Sequence, residues 1–91
     1  MSIQWLFDII EDRKRNPVET SHTSGLFAKG LPKIAQKVGE EGTEVIVAAL
    51  AQNDQRLIEE VADLTYHILV LLSARGLTPT QVLAELEKRH K

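Results

Sequence analysis

Apolar residues recur at three- and four-residue intervals through most of this chain, and no stretch alternates residue by residue as a half-buried strand would. Ile3, Leu6, Phe7 and Ile10 mark a first helix, which Ser2 can cap and Asn16-Pro17 ends near Arg15. From Pro17 to Gly30 the periodicity gives way to Ser, Thr and Gly, including Thr20-Ser21-His22-Thr23-Ser24-Gly25, so a loop is expected there, ordered or mobile. Pro32 suits the first turn of a second helix, which runs to about Gln52 with Ile34, Val38, Val45, Ile46 and Ala49 on one side. Gly39 and Gly42 interrupt that helix, which close approach of a neighbouring helix or a ligand would explain.

Asn53 or Asp54 caps a third helix reaching Arg75 and stopping at Gly76. Its half from Leu64 to Leu72 is apolar almost all round, which places it at the bundle centre or at a subunit interface. Thr78 and Pro79 open a fourth helix carrying Val82, Leu83 and Leu86, with Lys88, Arg89 and Lys91 at its negative dipole end. The expected fold is all-α, four helices packed as a bundle, in one domain spanning residues 1–91.

Composition narrows the picture. Hydrophobic residues make up 43% and charged residues 26%, as in an ordinary globular domain. A chain of 91 residues builds only one small core, so burial through self-association is expected, giving at least a dimer. Eleven basic residues against 13 acidic ones leave a net charge of −2, which provides no broad basic surface for a nucleic-acid backbone. The amino terminus shows no targeting pattern and no window suits a membrane span; with no cysteine, a cytoplasmic setting is expected. Any metal must be held by oxygen or imidazole.

Two acidic clusters of one shape then stand out: Glu40-Glu41-x-x-Glu44, and 19 residues later Glu59-Glu60-x-x-Asp63. At about 100° per residue, Glu40, Glu41 and Glu44 share one border of the second helix with Lys33 and Lys37, while Glu60, Asp63 and His67 share one face of the third. Antiparallel packing across the short Asn53-Asp54 connection sets the two clusters at similar depth. Anions so gathered repel, and a hard divalent cation such as Mg²⁺, the usual partner of a phosphorylated substrate, would offset them. The same acids also fit a solvated face with local pairs, Lys37 with Glu41 and Arg56 with Glu60.

Lys29, Lys33 and Lys37 offer point charges for phosphate oxygens, and His22 can meet a phosphate from its loop. His67 and Glu59 stand behind the acids as orienting groups, His90 is expected in solvent, and Trp5 is expected to anchor the core or an interface.

The two acidic halves, Glu40-Glu41-x-x-Glu44 and Glu60-x-x-Asp63, resemble the signature of the all-α, MazG-like nucleoside triphosphate pyrophosphohydrolases. Ser21 to Gly30, Lys37 to Glu44, and Glu59 to Leu64 with Tyr66-His67 more narrowly resemble the phosphoribosyl-ATP pyrophosphohydrolases of histidine biosynthesis. That resemblance implies Mg²⁺-dependent hydrolysis of phosphoribosyl-ATP to phosphoribosyl-AMP and pyrophosphate by helical dimers or larger assemblies. It also implies Glu41, Glu44, Glu60 and Asp63 as metal ligands, with Glu40 a further ligand or the acceptor for a metal-bound water and Glu40 and Glu41 the catalytic pair. No fused cyclohydrolase is expected in 91 residues. A housekeeping pyrophosphohydrolase acting on simple nucleotides keeps the same metal site, and a non-catalytic helical dimerisation module predicts no Mg²⁺ binding.

Overall fold

The computed structural model describes residues 1–90, which form five α-helices and no strand. Helix α1 spans Ile3–Arg15, α2 His22–Lys29, α3 Leu31–Ala51, α4 Asp54–Ala74 and α5 Pro79–Arg89. Lys91, expected with Lys88 and Arg89 at the end of the last helix, lies outside the described residues. Where a cap was legible the boundaries follow it. The Ser2 hydroxyl accepts from the Trp5 amide, the Asn53 side chain from the Arg56 amide, and Thr78 forms a capping box with Gln81.

The expected loop between Pro17 and Gly30 is instead largely helix α2, which makes five helices of the predicted four. Ser21 caps it by accepting from the Ser24 amide, and Gly30 ends it at φ 93°, a conformation that suits only glycine. The Ser24 hydroxyl donates to the Arg13 carbonyl and accepts from the Val18 amide, tying α2 to the end of α1. Leu26 enters the core beside Phe7, Ile10, Ile34, Leu69 and Val70. These contacts hold a helix in a segment whose own propensity is weak.

Helices α3 and α4 make the most extensive pairing in the chain, joined by only Gln52 and Asn53. The buried positions of α3 are Ile34, Glu41 and Ala48, spaced by seven, and those of α4 include Glu60, His67, Leu69, Val70 and Ser73. The inward face of α3 is therefore not the one expected: Ile46 and Ala49 are exposed, and Val38 and Val45 are half-buried. A methyl group built at Gly39 or Gly42 meets nothing within 4 Å, so no neighbouring helix of this chain requires those glycines.

The molecule exposes more than a compact monomer should. Its surface is 6396 Å², against about 5,300 Å² for a monomer of 10.2 kDa. Its radius of gyration is 14.2 Å, against about 12 Å for a compact domain of this length. Ile46, Val47 and Leu50 on α3 and Ile58 and Val61 on α4 form much of the excess, with Val82, Leu83 and Leu86 on α5. Trp5, half-exposed, does not belong to the core.

Candidate metal centre

The seven-residue spacing that carries Ile34 and Ala48 into the interior carries Glu41 with them, and on α4 it pairs Glu60 with His67. Carboxylates are almost never fully buried without partners, so two of them facing each other in a helical seam require a physical reason. Glu41 and Glu60 are only 7% and 5% exposed. With Asp63 they bring ligand-capable oxygens within 4.8 Å of one another, and this is the one such group of three among the described residues.

Each buried carboxylate is half satisfied. Lys37 Nζ lies 3.5 Å from Glu41 Oε1, and Arg56 Nη2 donates to Glu60 Oε1 at 2.6 Å. The pairs expected of a solvated face do form, yet Glu41 Oε2 and Glu60 Oε2 remain buried with no hydrogen-bond partner. A bare carboxylate oxygen out of water costs free energy, and a cation is the partner that removes the cost.

Glu44 stands on the exposed side of the same cluster. Crowding by the carboxylate of Glu41, then by that of Glu60, pushes its carboxyl up to about 7. Glu41, Glu44, Glu60 and Asp63 outnumber the two cations that face them, Lys37 and Arg56, and those two also serve Glu40 and Glu59. At least two negative charges go unmatched, which suits a divalent ion. The donor set is all oxygen, as Mg²⁺ prefers, and its 4.8 Å spread is close to the ~4.2 Å that separates opposite ligands of one Mg²⁺. The residues fit the ion.

The other expected site residues fall around this group. Glu40 is exposed, accepts from Gln36 Nε2 at 3.2 Å, and has Lys37 Nζ at 3.8 Å. Glu59 is turned to Gln55 and Arg56, whose hydrogen bonds hold it below the usual carboxylate range. Lys37 borders the acids directly, whereas Lys33 is two turns back on α3, about 12 Å along its axis. Lys29 ends α2.

His67 is 6% exposed and does not touch the Asp63 carboxylate; its Nδ1 bonds the Asp63 backbone carbonyl at 2.7 Å. Tyr66 packs edge-on against it with centroids 5.0 Å apart, and the exposed His22 lies at 6.3 Å. The Tyr66 hydroxyl bonds Thr23 Oγ1, latching α2 to α4 one turn beyond Asp63. Sequence reasoning missed this latch and the helix that carries it; the one local signal was the Ser21-x-x-Ser24 cap. His90 caps α5 in solvent.

Comparison with known proteins agrees with the geometry. Residues 4–90 match the model of a family described as phosphoribosyl-ATP pyrophosphohydrolase. The chain is 57% identical over 88 residues to a phosphoribosyl-ATP pyrophosphatase of Lacticaseibacillus casei, covering 97% of this chain and 80% of that protein. It is 52% identical over 89 residues to one from Clostridium botulinum, covering 98% and 81%. With one from Saccharolobus solfataricus it shares 50% identity over 86 residues, covering 94% and 92%.

Proposed function

Since this chain belongs to the phosphoribosyl-ATP pyrophosphohydrolase family, we propose that the carboxylate cluster between α3 and α4 is where it hydrolyses phosphoribosyl-ATP to phosphoribosyl-AMP and pyrophosphate, in histidine biosynthesis. The observation that carries this placement is the pair of buried, unpartnered oxygens on Glu41 and Glu60 beside Asp63. Glu41, Glu44, Glu60 and Asp63 are the residues that would hold Mg²⁺. When bound, the ion offsets the charge of the substrate's phosphates and lowers the pKa of a coordinated water.

The chain's own groups do the rest. Lys37 fixes one oxygen of Glu41 and Arg56 one oxygen of Glu60, which leaves the opposite, unpartnered oxygens for the ion. Glu40, exposed next to Glu41, is placed to accept the proton of the attacking water. Lys37, beside the acids, would be a counter-charge for the departing pyrophosphate, with Lys33 further back on α3 and Lys29 at the end of α2 as further candidates, since a phosphoryl transfer spreads negative charge over the leaving oxygens.

The whole chain acts as one catalytic domain in a homodimer or larger assembly, a reading supported by the excess surface and the exposed Ile46, Leu50 and Ile58. A substrate made from ATP places it in the cytoplasm; no helix of the described residues is long and apolar enough to cross a membrane. The deciding experiment compares kcat/KM for phosphoribosyl-ATP with kcat/KM for dATP and dCTP in Mg²⁺. Strong preference for phosphoribosyl-ATP is expected; equal turnover of the simple nucleotides would instead indicate a housekeeping pyrophosphohydrolase.

A further inference from the structure

Two cations border the carboxylate cluster, and they are held differently. Arg56 is bonded on both sides: Nη2 donates to Glu60 Oε1 at 2.6 Å and Nη1 donates to Glu59. Lys37 Nζ lies 3.5 Å from Glu41 Oε1 and 3.8 Å from Glu40 Oε1, beyond the roughly 2.7–3.2 Å of a good N–H···O bond. The ammonium is shared between two carboxylates without settling on either. The Lys37 side chain is 29% exposed and that of Glu40 48%, so the ammonium stands at the wet edge of the cluster. Its flexible four-carbon stem can re-aim the charge without moving α3.

Charge gives that looseness a consequence. The ammonium and a divalent ion draw on the same negative charge of Glu41, so each weakens the other's hold, whereas a phosphate oxygen attracts both. One nitrogen cannot serve Glu41 and a phosphate together at full strength. Arg56, bonded to two carboxylates at once, has far more to lose by moving.

Resting on the placement of the ion and the phosphates proposed above, we propose that Lys37 couples the two: its ammonium leaves Glu41 for a phosphate oxygen of the substrate or of pyrophosphate, and Glu41 then gives its whole charge to the ion. Its two tasks, holding Glu41 and meeting a phosphate, are therefore taken in turn. Phosphate thereby tightens metal binding beyond what direct contact between phosphate and ion supplies, and by linkage the ion tightens phosphate binding by the same factor.

The test is calorimetry on wild type and on Lys37→Met, a substitution that keeps an unbranched stem and removes the charge. Mg²⁺ is titrated alone, and pyrophosphate is titrated in saturating Mg²⁺. Mg²⁺ alone should bind the variant ~2- to 5-fold more tightly, because a competitor worth one partly exposed ion pair is gone. Pyrophosphate should bind it ~10-fold or more weakly, the worth of a charge-assisted hydrogen bond. The opposite signs identify the coupling. If both affinities fall, Lys37 only orders Glu41; if the Mg²⁺ affinity is unchanged, Lys37 only meets phosphate; if the pyrophosphate affinity is unchanged, it does not meet phosphate. Each of these results overturns the proposal. Should the variant fail to fold, wild-type crystals carrying Mn²⁺ and pyrophosphate decide it: Lys37 Nζ bonded to pyrophosphate and off Glu41 supports the transfer, and Nζ still on Glu41 overturns it. Failure of the metal reading looks different, since wild type itself would then bind no Mg²⁺ at the cluster.

Discussion

Replacing Glu41 by Gln separates the cost of the carboxylate cluster from its use. Glu41 and Glu60 are both buried, with ligand oxygens no more than 4.8 Å apart. At an effective dielectric constant near 20, two unit charges at that distance repel by about 3.5 kcal/mol. Asp63, with an oxygen inside the same 4.8 Å, repels Glu41 by a similar amount, whereas on the same footing the Lys37 pair at 3.5 Å attracts by about 4.7 kcal/mol, less than the two repulsions together. Repulsion wins. The metal-free Glu41→Gln protein should therefore be at least as stable as metal-free wild type, although a buried ion pair has been broken. Mg²⁺ should reverse the order. At a free concentration 100 times its Kd the ion stabilises wild type by about 2.7 kcal/mol, or ~10–20 °C in Tm for a chain of this length. The variant should show little of that shift and no turnover. Thermal melts followed by circular dichroism, at one fixed protein concentration in EDTA and in MgCl₂, make the comparison. A variant that melts well below wild type in EDTA, or that retains the full Mg²⁺ shift, would refute the reasoning.

Glu44→Gln and Asp63→Asn should each reduce kcat/KM to background while leaving the metal-free melting temperature unchanged or raised; full activity in either variant counts against those ligands. The Glu44 carboxyl, raised from 4.5 to about 7, makes the folded metal-free protein bind more protons than the unfolded chain between those pH values. Its stability should accordingly fall as pH rises through that window, and urea titrations at pH 5 and 7.5 should show the fall vanish in Glu44→Gln. Metal and proton compete for the same oxygen, so Mg²⁺ affinity measured by calorimetry should increase over the same pH range. Leu50→Asp and Ile58→Asp, on the exposed apolar faces of α3 and α4, should shift sedimentation of micromolar protein toward monomer; an unaltered assembly would place the subunit contact elsewhere, and a monomeric wild type would refute self-association.

The starts of α1, α4 and α5 were legible in the sequence, because Ser2, Asn53 and Thr78 act locally on amides three residues ahead of strongly periodic segments. Helix α2 was not. Its Ser, Thr and Gly content disfavours helix, and what holds it lies far off in sequence: the Arg13 carbonyl, the Tyr66 hydroxyl and the core around Leu26. The convergence of the two acidic clusters was also legible from their repetition and phase. Their division was harder. A helical wheel places Glu40, Glu41 and Glu44 on one border, but only packing of α3 against α4 buries Glu41 and leaves its neighbours outside. The seven-residue step from Ile34 through Glu41 to Ala48 carried that distinction.

The claim on which the rest stands is that Glu41, Glu60 and Asp63 close on a divalent cation. Crystals grown with Mn²⁺ in place of Mg²⁺ and measured at the manganese absorption edge locate that cation without reference to activity. The account predicts an anomalous peak bonded to oxygens of all three carboxylates. A peak elsewhere, or none with the three side chains turned to solvent, would contradict it.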